Sequence, residues 1–172
     1  WQLTHAPYAG YLQLDEFELL SCSPELFIEF QANRQIKTRP IKGTMPRFDD
    51  AEQDRLSKQK LSQSEKDQAE NLMIVDLLRN DLSVYAETGS VKTTQLFEIE
   101  SFNQVHHMVS EITATLKQDI NPMQMLLSAL PGGSITGAPK IRAMQIIDEL
   151  EGASRGAYCG SLGYFNFDGT GR

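Results

Sequence analysis

A mostly antiparallel α+β fold is what this sequence predicts, on three observations. Short β-like runs follow one another at hairpin spacing near the start. Stretches rich in helix formers then interrupt later β-branched runs. Turn or capping residues mark nearly every change of pattern. No internal repeat and no low-complexity segment competes with this reading.

The elements follow in order. Residues 11–14 and 18–20 read as strands around a turn at Asp15-Glu16. Residues 26–30 and 36–38 read as a second pair around Ala32-Asn33-Arg34. Residues 39–47 lie between prolines, which predicts an extended or turning stretch. From Asp49 or Asp50 to about Asn80 the pattern becomes helical. It is polar first and apolar at Leu72, Met73, Val75, Leu77 and Leu78, with Asp and Ser available as caps. Asn80-Asp81 and Thr88-Gly89-Ser90 read as punctuation, followed by β-like residues 91–100. Val105, Val109, Ile112, Thr113 and Thr115 predict a strand over 105–116. Asn121-Pro122 is a cap followed by proline at the first helical position and opens a helix to Leu130. Residues 131–138 read as a glycine-rich loop. Pro139 opens a helix over 140–151 with Ile141, Met144, Ile147 and Leu150 on one apolar stripe. Residues 158–167 read as a closing strand or strand pair. The turn at 168–172 has no strand after it, which leaves a sheet edge without its partner.

At 172 residues the length prior is a single domain. The 16 basic and 23 acidic residues give a formal charge of −7, which argues against a nucleic-acid or anionic-membrane surface. No apolar run is long enough to span a bilayer. The opening Trp1-Gln2-Leu3-Thr4 is not the basic-then-apolar start of a signal peptide. Two cysteines, Cys22 and Cys159, neither build a disulfide scaffold nor have zinc spacing. The expected compartment is cytoplasmic.

Four segments could carry chemistry. Lys42, in Pro40-Ile41-Lys42-Gly43-Thr44, is either an ordinary solvated lysine or a partly desolvated amine able to act as nucleophile or base. Gly43 beside it would let backbone approach a ligand. Asp67 and Glu70 fall one helical turn apart. That suits a hard cation such as Mg²⁺, or simply a hydrated helix face. A neighbouring ion pair between Asp76 and Arg79 is expected. His106 and His107 are adjacent on a strand and point to opposite faces, so one can serve a site while the other lies outside it. Residues 132–142 run small residues and hydroxyls into a helix start, a geometry that suits an anion or merely connects two helices. This is not a phosphate-binding P-loop, because Lys140 comes two positions late after Gly137.

Taken together and in order, these motifs resemble the chorismate-utilising enzymes. The run 38–44, the run 69–82 from Ala69-Glu70-Asn71 to Asp81-Leu82, residues 106–110, residues 131–140 and Gly160-Ser161-Leu162-Gly163-Tyr164 carry the resemblance. It extends from about residue 10 to the end. It implies part of an α/β/β/α sandwich with two mostly antiparallel sheets. Residues 1–172 would form a single partial chorismate-binding domain, lacking the N-terminal part and C-terminal end of the family fold.

Within the family, lysine in Pro-Ile-Lys-Gly-Thr resembles the branch that aminates chorismate to 4-amino-4-deoxychorismate, on the way to p-aminobenzoate and folate. The anthranilate and isochorismate branches usually carry alanine there. The resemblance implies Lys42 as nucleophile, Glu25 as general acid and His107 as the active-site histidine. It implies Gly43, Thr44, Ser134, Thr136, Gly137, Ala138 and Tyr158 as substrate contacts. Glu70 matches a Mg²⁺ ligand, with Asp67 as a second acidic group. It further implies ammonia from a glutamine amidotransferase partner. The family's later arginine and glutamates would lie beyond Arg172, so the 172 residues alone are expected to be inactive. An anthranilate-forming enzyme and a non-catalytic chorismate-binding scaffold are the alternatives.

Overall fold

The computed structural model describes residues 6–172. The opening residues, read above for a leader, lie outside the described residues. Strands β1 (Tyr8–Gln13) and β2 (Glu18–Ser23) form a separate antiparallel hairpin, closed by a Leu14 N–H to Phe17 carbonyl bond of 2.9 Å. The larger sheet contains β3 (Leu26–Phe30), β4 (Gln35–Arg39), β5 (Ile41–Pro46), β6 (Lys92–Ser101) and β7 (Val105–Thr115), all paired antiparallel.

The long strand β7 organises this sheet. β6 pairs along one of its edges, while β4 and β5 follow one another along the other. Pro40 separates β4 from β5, and its carbonyl accepts from Ser110 N–H at 3.1 Å, so the break stays tied to β7. The extended alternative read for 39–47 holds: Arg39 ends β4, and Ile41–Pro46 pair as β5.

Helices α1 (Ala51–Ser62) and α2 (Glu65–Tyr85) cover one face. Asp50 caps α1 by accepting from Gln53 N–H at 2.9 Å, and Ser64 caps α2 by accepting from Asp67 N–H at 3.3 Å. The second cap divides what had read as one helical pattern. Asn80-Asp81 does not end α2, because Leu82 is wholly buried and carries the helix on to Tyr85. The buried stripe is Asn71, Ile74, Val75, Leu78 and Leu82, at helical spacing. Leu72 and Met73, read as part of the apolar set, are exposed. Ile28, Phe30, Ile36, Ile112, Ala114 and Leu116 meet that stripe. Met125 and Ala129 of α3 (Pro122–Ala129) complete the core.

Three further expectations are corrected. The glycine-rich loop contains one helical turn, α4 (Gly133–Thr136). Residues 158–167 form no strand; the chain there makes only isolated bridges, Phe165 with Gly171 and Gly171 with Phe30. The turn at 168–172 thus folds back on β3, with Asn166 N–H bonded to the Thr170 carbonyl at 2.8 Å. The helix expected over 140–151 is present as α5 (Lys140–Glu151), but it buries none of its residues. Ile141 is 75% exposed and Leu150 80%.

Candidate active site

The site is built around the outer edge of β5. Ile41 N–H points to Glu25, whose Oε1 accepts it at 3.4 Å. Glu25 sits just before β3 and is partly buried. Burial pushes its carboxyl above the ordinary carboxylate range; the Ile41 N–H and the nearby Lys42 charge pull it part of the way back. A raised carboxyl pKa is the direction in which a general acid must be tuned. Lys42 is the next residue along β5 and is half-buried.

Gly43 has a reason to be glycine. Its φ is +91°, and a Cβ there would lie 2.9 Å from Asp67 Cβ and 3.0 Å from Leu61 Cδ1. The missing side chain lets β5 rest directly on the junction of α1 and α2. This close approach is what brings the Lys42 strand to the acidic turn of α2. Asp67 is partly buried. Glu70, one turn further on, keeps 47% of its side chain exposed and lies 3.8 Å from Lys66.

The two histidines separate as strand geometry requires. His107 pairs in register with Thr44 of β5, and Thr44 Oγ1 lies 2.9 Å from its Nδ1. Burial lowers its pKa against the opposing pull of the Gly43 backbone and Glu100. The neutral ring is therefore favoured near neutral pH. Phe102 meets the ring edge-on at 5.4 Å between centroids. His106 faces the other way, as the alternation requires, and is the more buried of the two, at 1% exposure. Its Nε2 lies 2.9 Å from Asp54 Oδ1 and its Nδ1 2.8 Å from Ser101 Oγ. Arg47 binds Asp54 at 2.8 Å and, with Phe48 N–H and His106, holds that carboxyl down at about 2.

The glycine-rich segment occupies a different place. Gly132 lies against the Phe27 ring, and Gly133 against Leu77. Leu77 is ten residues past Asp67 on α2, about 15 Å at the helical rise. Ser134 Oγ is shielded from solvent and has no partner, while Thr136 Oγ1 donates to the Gly132 carbonyl at 3.4 Å. Gly137 takes φ +118°. Ala138 is exposed; Tyr158 is 73% exposed in a turn, with Arg155 over its ring. The structure thus gathers Glu25, Lys42, Gly43, Thr44, Asp67 and His107. Gly132 and Gly133, which meet β3 and α2, lead into the turn carrying Ser134, Thr136 and Gly137, and Tyr158 is left outside.

The chain matches the chorismate binding enzyme family over residues 1–172. It belongs to that family. It is 56% identical over 165 residues to aminodeoxychorismate synthase component 1 of Klebsiella aerogenes, covering 96% of this chain and 36% of the relative. It is 42% identical over 168 residues to anthranilate synthase component 1 of Aquifex aeolicus, covering 98% of this chain and 34% of that one. The crystal structure of anthranilate synthase component I from Streptococcus pneumoniae superposes with TM-score 0.87 at 34% identity, over 99% of this chain and 37% of that chain. The chain therefore spans about a third of the length of the curated relatives it matches. The mixed antiparallel fold expected from the sequence agrees with these likenesses.

Sequence reasoning missed several residues that build the site. Asn71 is fully buried, accepts from Ser110 Oγ at 2.6 Å and donates to the Met108 carbonyl at 3.4 Å, joining α2 to β7. Its signal was available: a polar residue in step with the apolar stripe Ile74, Val75 and Leu78. Glu100, opposite His107 across β6 and β7, could be found only from the register. Its ion pair with Arg39 joins the His107 face to β4.

Asp67 and Glu70 offer hard oxygen donors one turn apart, the donor type Mg²⁺ selects, and Glu70 is accessible enough to turn toward an ion. Among the described residues no three His, Cys, Asp or Glu side chains converge as a metal cluster. Two carboxylates still fit an ion that keeps several waters and takes substrate oxygens. No helix among the described residues is long and apolar enough to cross a membrane.

Proposed function

We propose that this chain is the lysine-bearing part of an aminodeoxychorismate synthase component 1, which aminates chorismate to 4-amino-4-deoxychorismate toward p-aminobenzoate and folate. The observation that carries the reading is Lys42 beside the part-buried Glu25, on a strand seated by Gly43 against Asp67. The 56% identity to a protein of that name supports it further.

In this reading Lys42 Nζ forms a bond to ring carbon C2 of chorismate. The double bonds shift, and the C4–O bond breaks as Glu25 gives its proton to the departing hydroxyl. Ammonia then bonds to C4, the double bonds shift back, the C2–Nζ bond breaks to restore the lysine, and a proton from the new C4 ammonium returns to Glu25. Two displacements replace one difficult direct substitution. His107, neutral and fixed by Thr44, orients the ring system from the opposite strand. Ser134, whose hydroxyl lacks a partner, and the backbone of Thr136, Gly137 and Ala138 receive a substrate carboxylate, and Tyr158 closes over it in a longer chain. Asp67 and Glu70 would hold Mg²⁺, which when bound draws charge from a substrate carboxylate. The "component 1" of the relatives' names supports a second component, which we read as the glutamine amidotransferase that supplies ammonia.

Replacing Lys42 by Ala in a family-length chain tests the reading, with ammonium as nitrogen donor and 4-amino-4-deoxychorismate as the product measured. A loss of at least about 10³-fold in kcat is expected for removal of a covalent participant. Unchanged turnover, or direct appearance of fluorescent anthranilate, would overturn it. Residues 1–172 alone should show no turnover in the same assay.

A further inference from the structure

Lys140 ends the Gly137-Ala138-Pro139-Lys140 run, where the sequence reads as a displaced phosphate-loop lysine. The fold commits its ammonium elsewhere. Nζ lies 2.5 Å from Asp81 Oδ2 on α2 and 3.1 Å from the carbonyl of Ala129, the last residue of α3. The two charged side chains are only 17% and 16% exposed. One amine therefore ties the start of α5 to α2 and to the end of α3. The end of α3 and the start of α5 flank residues 131–139, and α2 is the element they share through this amine. Pro139, the N-cap of α5, makes no side-chain cap bond, so Lys140 is the polar fastening at this helix start. Gly133 of α4 lies against Leu77 of α2.

We infer that Lys140 and Asp81 are positioning residues. Their ion pair clamps the 131–139 segment in the shape that presents the Ser134 hydroxyl and the Thr136–Ala138 backbone, and Lys140 does not itself touch the substrate. This rests on the reading above that the segment receives a chorismate carboxylate. The chemistry explains why both ends are charged. A part-buried pair with a further carbonyl acceptor is strong in geometry, and loss of either partner strands the other.

The test uses a family-length chain and the variants Lys140→Met, Asp81→Asn, the double variant and Lys140→Arg. The first readout is hydrogen–deuterium exchange of residues 131–139, with β7 as internal reference. Each single variant should speed exchange in 131–139 and leave β7 unchanged. The double variant leaves no uncompensated buried charge and so keeps the fold measurable even where a single variant unfolds. The second readout is steady-state kinetics with chorismate. Both single variants should raise KM by about tenfold with kcat changed less than about threefold, and the double should be no worse than the worse single. Lys140→Arg, which keeps the charge, should recover part of the loss.

Unaltered exchange in 131–139 for the double variant overturns the clamp. So does a rise in KM for Lys140→Met that Asp81→Asn does not share, because lysine would then meet the substrate directly. Independent, multiplying effects overturn it as well. Should the unaltered chain fail to aminate chorismate, the proposed function falls while the exchange result still decides the clamp.

Discussion

Helices α2 and α5 both carry apolar residues at helical spacing, and the fold treats them in opposite ways. α2 buries five side chains against the sheet and brings Asp67 to Gly43; α5 buries none and is held at its start by Lys140. The same contrast divides the candidate site. The Lys42 cluster is assembled by strand register and one close glycine contact, all within this segment. The 131–139 segment is bracketed by Lys140, bound to Asp81 and to the Ala129 carbonyl, and Tyr158 stands exposed in a turn. An amphipathic stripe specifies that a helix wants a partner, and only the packing says whether one is there.

The contrast breaks first on stability. Leu82→Ala, at a wholly buried position of α2, should cost about 2–5 kcal/mol in denaturant unfolding, from lost burial and the cavity left behind. Leu150→Ala on α5 should change the unfolding free energy by less than about 0.5 kcal/mol. Equal effects would mean that α5 packs as α2 does.

Gly43→Ala comes next. Positive φ and the 2.9 Å approach to Asp67 Cβ should cost about 1–3 kcal/mol and push β5 off the helices. In a family-length chain it should also lower activity, although no reactive group is removed. A variant with unchanged stability and activity would show that the contact does not seat Lys42.

Two pH effects sharpen the comparison further. Asp54 is held down at about 2 by Arg47, so its contribution is full above the unfolded carboxylate pKa and is lost as pH falls through about 2. Asp54→Asn should abolish that acid dependence, measured as unfolding midpoint against pH, and loosen His106. Glu25 has the opposite sign. Its folded pKa is raised, so its contribution is full below the ordinary carboxylate range and is lost as pH rises through the folded value. Glu25→Gln should therefore stabilise the chain near neutral pH and have little effect in acid. The same substitution should remove activity. A gain in stability with activity retained would separate the buried carboxyl from proton donation.

Much of the fold was legible because its signals are local. The strands at 26–30 and 36–38, the Asn121-Pro122 cap and the long β-branched strand each appear near their expected bounds. Alternation alone was enough to set His106 and His107 on opposite faces. The failures occur where local preference was weak and a distant contact decided. Asn80-Asp81 looked like a helix end, but burial of Leu82 outweighs the poor propensity of the two residues before it. Tyr164 to Phe167 has strand composition, yet its neighbours offer only the Gly171 bridges.

By itself the sequence determined the α+β class, the order of the main elements, the family through its motifs, and the residue types that could do chemistry. Periodicity, caps and motif spacing are properties of neighbours along the chain, and they survive without a fold. Only the tertiary structure decided that Glu25 reaches Ile41 and Lys42, that Gly43 rests on Asp67, that His106 is locked to Asp54 while His107 meets Thr44, and that Lys140 is bound to Asp81. Those pairings lie between 16 and 63 residues apart in sequence. Register, burial and the shape of the packed layers choose such partners, and none of these can be read from one stretch of chain.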